Sequence, residues 1–296
     1  MTKLLSVKND LVFKMLFTRN PDVLTDLINC VLNLSGPDRI VSVKILNPLV
    51  LPEEITKKFI VLDIRASDSS GREHDIEMQV RKYDSYPQRS LYYLCRMYSD
   101  QLKTGEDYSA LRPVVGIHFL DYRQFEEETG FHYAFRLRDT RYPELVLTED
   151  LSLHIFEFPG IEKFMKERKN EPLFEWLRFL SHGHEEGGRD MREYANPVIH
   201  TAFDALENLS ADAVTRQFAE MREKALKDET TLLNEYLRKG ERIGFGKGIE
   251  KGIEKEKKEM VKILLAMGEL TVEKIAKIVR LSVEEIRKME KEMTQP

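Results

Sequence analysis

The 296 residues suffice for one large domain or two modest ones, each burying a sizeable core. With 51 acidic against 46 basic side chains the net charge is −5, which excludes the strongly basic class of nucleic-acid binders and leaves phosphate recognition to local patches. Cys30 and Cys95 lie too far apart for a disulfide framework or a zinc spacing. The opening segment lacks a signal-peptide core and no apolar run reaches bilayer length, so a cytoplasmic chain with no membrane contact is expected.

Residues 9–34 read as a helical opening, with Phe13, Leu16 and Phe17 and then Leu24, Leu27, Ile28 and Val31 at helical spacing, stopped by Gly36-Pro37. Residues 39–50 and 58–66 read as strands, and a third strand is expected over 73–81 after the polar turn Asp68-Ser69-Ser70-Gly71. A helix follows from Tyr86-Pro87 to Leu102, then a buried strand, Pro113–Leu120, and two further strands at 131–137 and 144–158. Beyond Gly160 the pattern is almost wholly helical. Residues 237–258, with Lys247-Gly248-Ile249-Glu250 repeated at once as Lys251-Gly252-Ile253-Glu254, read as a flexible or frayed helical linker. The tail, 259–296, shows a helix-turn-helix pattern in which Thr271 and Ser282 stand as N-caps and Ser282 with Glu285 forms a capping box.

The hairpin around Ser70 carries the chemistry. Centred there, it sets Ile64 against Ile76 and Leu62 against Met78 on an apolar face, and Asp63 against Glu77 and Arg65 against Asp75 on the other, with Gln79 two positions beyond Glu77. Directly opposed carboxylates have Cβ atoms about 5 Å apart and destabilise each other. The apolar approach Phe59-Ile60-Val61-Leu62 places Asp63 at the edge of a covered strand, where an unpaired charge is costly. A hard divalent cation, Mg²⁺ or Mn²⁺, relieves both problems; the alternative is that Arg65 neutralises the acids on a solvated face. The next helix aligns Arg89, Tyr92, Tyr93 and Arg96 on one side, a spacing suited to gripping successive phosphates or, for the tyrosines, to core packing beneath snorkelling arginines.

An aspartate strand, a short hairpin, then Glu-x-Gln and a helix resemble the PD-(D/E)XK nuclease superfamily. More narrowly, Asn9-Asp10-Leu11-Val12-Phe13-Lys14-Met15-Leu16-Phe17, Asp75-Ile76-Glu77-Met78-Gln79-Val80 and Arg89-Ser90-Leu91-Tyr92-Tyr93-Leu94 resemble the bacterial recombination-promoting nuclease/putative transposase family. The resemblance implies an α/β fold, a restriction-endonuclease-like mixed sheet flanked by helices over residues 1–160, followed by a helical extension over 161–236. It implies Mg²⁺-dependent endonuclease cleavage of DNA, with Asp63, Glu77 and Gln79 as catalytic residues. The metal would be held by Asp63, Glu77 and the backbone carbonyl of Met78, with Asp10 reaching it through water. Gln79 stands where the wider superfamily carries lysine, so a neutral amide replaces a full charge; Arg65 or Lys82 could supply it. DNA would meet Arg65, Arg89, Tyr93 and Arg96, and a homodimer would suit double-strand cleavage. A nuclease fold kept for DNA binding alone, and a structural oligomer, are the rival readings. His182 and His184 lack further ligands at metal spacing and read as an inter-helix loop.

Overall fold

The computed structural model describes residues 3–47, 63–126, 130–168, 170–186 and 194–294, so the expected apolar approach Phe59–Leu62 lies outside the described residues. The chain divides into two compact units, residues 1–227 and 228–296.

In the first unit, helix α1 (Asp10–Arg19) begins where the Asn9 side chain accepts from the backbone N–H groups of Leu11 and Val12, and Pro21 opens α2 (Pro21–Val31). Six strands follow among the described residues: β1 (Val43–Ile45), β2 (Ile64–Asp68), β3 (Glu73–Gln79), β4 (Val114–Leu120), β5 (His132–Arg138) and β6 (Val146–Glu157), with helix α3 (Tyr86–Ser99) between β3 and β4. Their order in one sheet is β1-β2-β3-β4-β6-β5. The β3-β4-β6 centre is parallel, while β1-β2-β3 and the β5-β6 edge are antiparallel. This is the mixed sheet flanked by helices that the sequence led us to expect. Helices α4 (Phe158–Arg168), α5 (Pro172–Glu186), α6 (Pro197–Ala211) and the start of α7 (Ala213–Met267) complete the unit.

Period-2 alternation divides the sheet into two faces. Ile64, Ala66, Ile76, Met78, Ile117 and Phe119 point into the main core with Leu11, Phe13 and Phe17 of α1 and with Trp176 and Phe203 of α5 and α6. The opposite face is covered by α3, whose Leu94 and Met97 pack with Val114 and the flanking Leu153. A Cβ at Gly116 would lie 2.7 Å from a Leu153 methyl and 3.1 Å from a Leu94 methyl, so glycine there is what admits α3 so close to β4.

The β2-β3 register is the expected one, with Ile64 opposite Ile76 and Arg65 opposite Asp75. Asp68 sets it. Its carboxylate accepts from the Ser70 backbone N–H (2.8 Å), the Ser70 hydroxyl (2.6 Å) and Arg72 Nε (2.9 Å), and lies 3.0 Å from His74 Nε2. Gly71 completes the turn at φ +83°, a backbone conformation costly for other residues.

In the segment 237–258, expected as a flexible or frayed helical linker, the chain is helical throughout, within α7. Its glycines meet no neighbouring atom, so packing against the helix does not require them. In the second unit, the end of α7 packs with α8 (Val272–Val279) and α9 (Val283–Thr294) around Val261, Ile275, Ala276, Val279 and Ile286. The capping box forms: Glu285 accepts from the Ser282 backbone at 2.8 Å while Ser282 Oγ accepts from Glu285 N–H at 3.2 Å. Thr271 occupies the N-cap of α8 without a side-chain capping bond.

Burial alone would raise the Asp68 carboxyl, but hydrogen bonds from His74 and Ser70 outweigh it and hold the group well below the ordinary carboxylate range. Its contribution is therefore fully present above the unfolded value of about 3.9 and is lost as pH falls further toward the folded value. We predict that Asp68→Ala lowers the unfolding free energy by roughly 2–4 kcal/mol at neutral pH. Urea denaturation checks this, and the deficit relative to the unsubstituted protein should shrink progressively below about pH 4.

Candidate metal centre

Because β3 alternates, Asp75, Glu77 and Gln79 share the face that α3 covers, and the parallel register sets His118 of β4 beside Glu77. One carboxylate oxygen from Asp75, one from Glu77 and a ring nitrogen of His118 all lie within 4.8 Å of one another. Asp75 is 2%, Glu77 4% and His118 0% exposed, so the acids have little water to screen them. At that separation two like charges repel by on the order of 3–4 kcal/mol for an effective dielectric constant of ~20.

The surroundings answer this charge only in part. Gln79 Nε2 donates to Glu77 Oε2 at 2.5 Å, and the Tyr86 hydroxyl of α3 lies 2.8 Å from His118 Nδ1. His118 Nε2 lies 3.8 Å from Asp75 Oδ2, beyond hydrogen-bonding distance. Asp75 Oδ1, His118 Nε2 and Gln79 Oε1 are buried with no hydrogen-bond partner among the described residues. Burial lifts Glu77 above the ordinary carboxylate value and Asp75 adds to the shift, against the opposing pull of His118, Gln79 and Arg89. Burial works against a charged imidazole at His118, yet Glu77 and Asp75 together outweigh it and raise the group. Two carboxylates and an imidazole, with ligand atoms left unmatched, fit a divalent cation.

Asp63 stands at the start of β2, outside this three-residue group. Its side chain is 26% exposed and its Oδ2 accepts from Arg65 Nε at 3.0 Å. Burial raises its carboxyl, and the nearby charge of Asp75 adds to this while Arg65 and Lys14 oppose it. Asp10 is engaged elsewhere. Both its oxygens are held by Arg222 of α7, which donates from Nε at 2.9 Å and from Nη2 at 2.5 Å in a buried ion pair. Met78 sends its side chain into the main core, and a small cleft lined by Asp10, Met78, Gln79, Arg81, Tyr83 and Arg222 opens beside the strand end.

Of the basic side chains expected near phosphate, Arg65 pairs with Asp63, and Arg96 lies exposed 3.4 Å from Asp100. Lys82 lies 2.6 Å from Glu126. Arg89 rests on the Tyr83 ring at 5.2 Å, and Tyr93 meets Tyr92 edge-on at 5.5 Å between centroids. His182 and His184 lie within α5 rather than in a loop, and His182 is bonded to Ser181.

Sequence reasoning placed Asp75 opposite Arg65 and His118 in a buried strand, but it assigned neither to the metal and did not find Tyr86 or Arg222. The available signal for His118 was a lone imidazole in the otherwise apolar run Val114–Leu120. Nothing local marked Arg222, which meets Asp10 across 212 positions of chain.

A mixed sheet whose central hairpin presents Glu77-Met78-Gln79 on one strand, flanked by helices on both faces, defines a restriction-endonuclease-like protein. The chain belongs to the family described as PD-(D/E)XK nuclease family transposase, whose profile matches residues 7–236. Comparison with curated proteins and with solved structures gives no significant match.

Since Arg222 neutralises Asp10 within the core, Arg222→Leu should lower stability by about 3–5 kcal/mol by leaving a buried carboxylate alone. Asp10→Leu combined with Arg222→Leu should recover most of that loss in chemical denaturation. Calorimetric Mn²⁺ affinity should stay unchanged in the double variant.

Proposed function

We propose that this protein is a divalent-metal-dependent endonuclease that hydrolyses phosphodiester bonds of DNA, in the setting of recombination or mobile elements. The observation that carries this reading is the buried group of Asp75 and Glu77 on β3 and His118 on the adjacent β4, within the residues that match the nuclease family. Glu77 belongs both to the Glu-x-Gln of β3 and to this group. Asp75 and His118 would hold the cation with it, Asp63 would join from the more exposed strand start, and the Met78 backbone carbonyl is a further donor. Carboxylates suit Mg²⁺ and Mn²⁺ alike, while the imidazole widens the choice toward Mn²⁺. When bound, the ion supplies Lewis acidity at the phosphodiester.

The chain's own residues orient and bind. Gln79 fixes one oxygen of Glu77 and so selects the direction of the other. Tyr86 holds the His118 ring by Nδ1, which leaves Nε2 toward Asp75. Arg65, Tyr93 and Arg96 supply contacts to flanking phosphates, as local patches on a chain of net charge −5 must. No helix among the described residues is long and apolar enough to cross a membrane. The free thiols Cys30 and Cys95 suit a reducing cytoplasm, and a homodimer would bring two such sites to the two strands of a duplex.

Supercoiled plasmid incubated with the protein and Mg²⁺ or Mn²⁺ should be nicked or linearised, and a chelator should stop the reaction. Glu77→Ala and Asp63→Ala should each lower the rate by roughly a hundredfold or more. DNA binding that falls with salt but yields no strand breaks under either metal would contradict the enzyme and support the DNA-binding reading. Full activity in Asp63→Ala would remove that residue from the mechanism.

A further inference from the structure

Hydrolysis of a phosphodiester builds negative charge on the phosphate, and the motif position that could answer it with a cation carries neutral Gln79, whose amide nitrogen donates to Glu77. The nearby alternatives are engaged: Arg65 of β2 with Asp63, and Lys82, past the end of β3, with Glu126. Arg81 donates to the Leu226 carbonyl. Lys14, on α1, acts on Asp63.

Arg89 differs from all of these. It lies in the first turn of α3, above the face that bears Asp75, Glu77 and His118, and its charge acts on Glu77, His118, Tyr86 and Tyr122 together. Its guanidinium rests on the Tyr83 ring at 5.2 Å, which limits its freedom without consuming its donors. Its Nη2 is buried and has no hydrogen-bond partner among the described residues. Tyr83, on whose ring the guanidinium rests, also lines the small cleft that includes Gln79.

From this geometry we infer that Arg89 is a catalytic residue, the cation that receives the scissile phosphate of DNA in place of a strand lysine. The inference rests on the nuclease reading above and adds to it the source of the missing positive charge. A guanidinium with an unused donor can give a charge-assisted hydrogen bond to a non-bridging phosphate oxygen, and a neutral isostere cannot. Gly116 contributes indirectly: by admitting Leu94 it sets the height of α3, and with it the reach of Arg89.

The test uses the full chain loaded with Mn²⁺ and thymidine monophosphate as the small phosphate probe, followed by calorimetry, beside the plasmid assay. Arg89→Gln keeps the length and polarity of the side chain and removes its charge. It should weaken the nucleotide roughly tenfold or more while Mn²⁺ affinity stays within about twofold. Cleavage should fall in kcat by roughly a hundredfold with little change in KM for DNA. Adding Gln79→Lys to Arg89→Gln should restore much of both losses by returning a cation from the strand. Unchanged nucleotide affinity in Arg89→Gln would overturn the inference, as would an equal fall in Mn²⁺ affinity, which would make Arg89 a support of the ligands. If the unsubstituted protein cuts no DNA, the nuclease reading fails, and the nucleotide titrations still decide whether Arg89 forms an anion site.

Discussion

Two carboxylates buried side by side on one strand face are the constraint from which the rest of the site follows. Asp75 and Glu77 are two residues apart on β3, so the pleat turns them the same way, and α3 closes over them. A hydrophobic pair would pack there at no electrostatic cost. The acids persist beside an imidazole and a guanidinium, and several of their polar atoms remain unmatched. Such a group is poorly explained as scaffolding, because a structural network gains stability only when its members are satisfied. It is well explained as a set of ligand atoms.

The fold serves that arrangement from both sides. The apolar face of the sheet is fixed by α1 and the aromatic core behind it, which anchors β3 and β4 and leaves their other face free to carry polar chemistry. Asp68 holds the β2-β3 turn in one register, so Asp63 and Arg65 cannot slip to the core side. Gly116 lets α3 approach, which brings Tyr86 to His118 and Arg89 above Glu77. Each of these residues matters for what it allows a neighbour to reach.

Much of this is legible in the chain itself, and the parts that are not have a common cause. The hairpin register followed from alternation about Ser70, because adjacent antiparallel strands are related by a local turn. Cap signals located the small helices of the tail; the capping box at Ser282 needs only four consecutive residues. His118 and Arg222 escaped because their partners lie far away in sequence: the parallel β3-β4 pairing spans an entire helix, and the Asp10 pair joins α1 to α7. Glycines at 240–252 led to the expectation of a flexible or frayed helical linker, and that stretch lies within the 55-residue α7. Glycine lowers helix propensity by only about 1 kcal/mol per residue, and charged neighbours at helical spacing continue on either side. The glutamine in Glu-x-Gln was visible at once, but its role as the orienting partner of Glu77 depends on coordinates.

The account stands or falls on where a cation goes. Crystals soaked in Mn²⁺ and measured at the manganese absorption edge would locate it directly. We expect one anomalous peak held by Glu77, Asp75 and the Nε2 of His118, with Asp63 and the Met78 carbonyl as the further protein donors. Ordered acids with no peak between them, or manganese held only at surface carboxylates, would contradict the central claim.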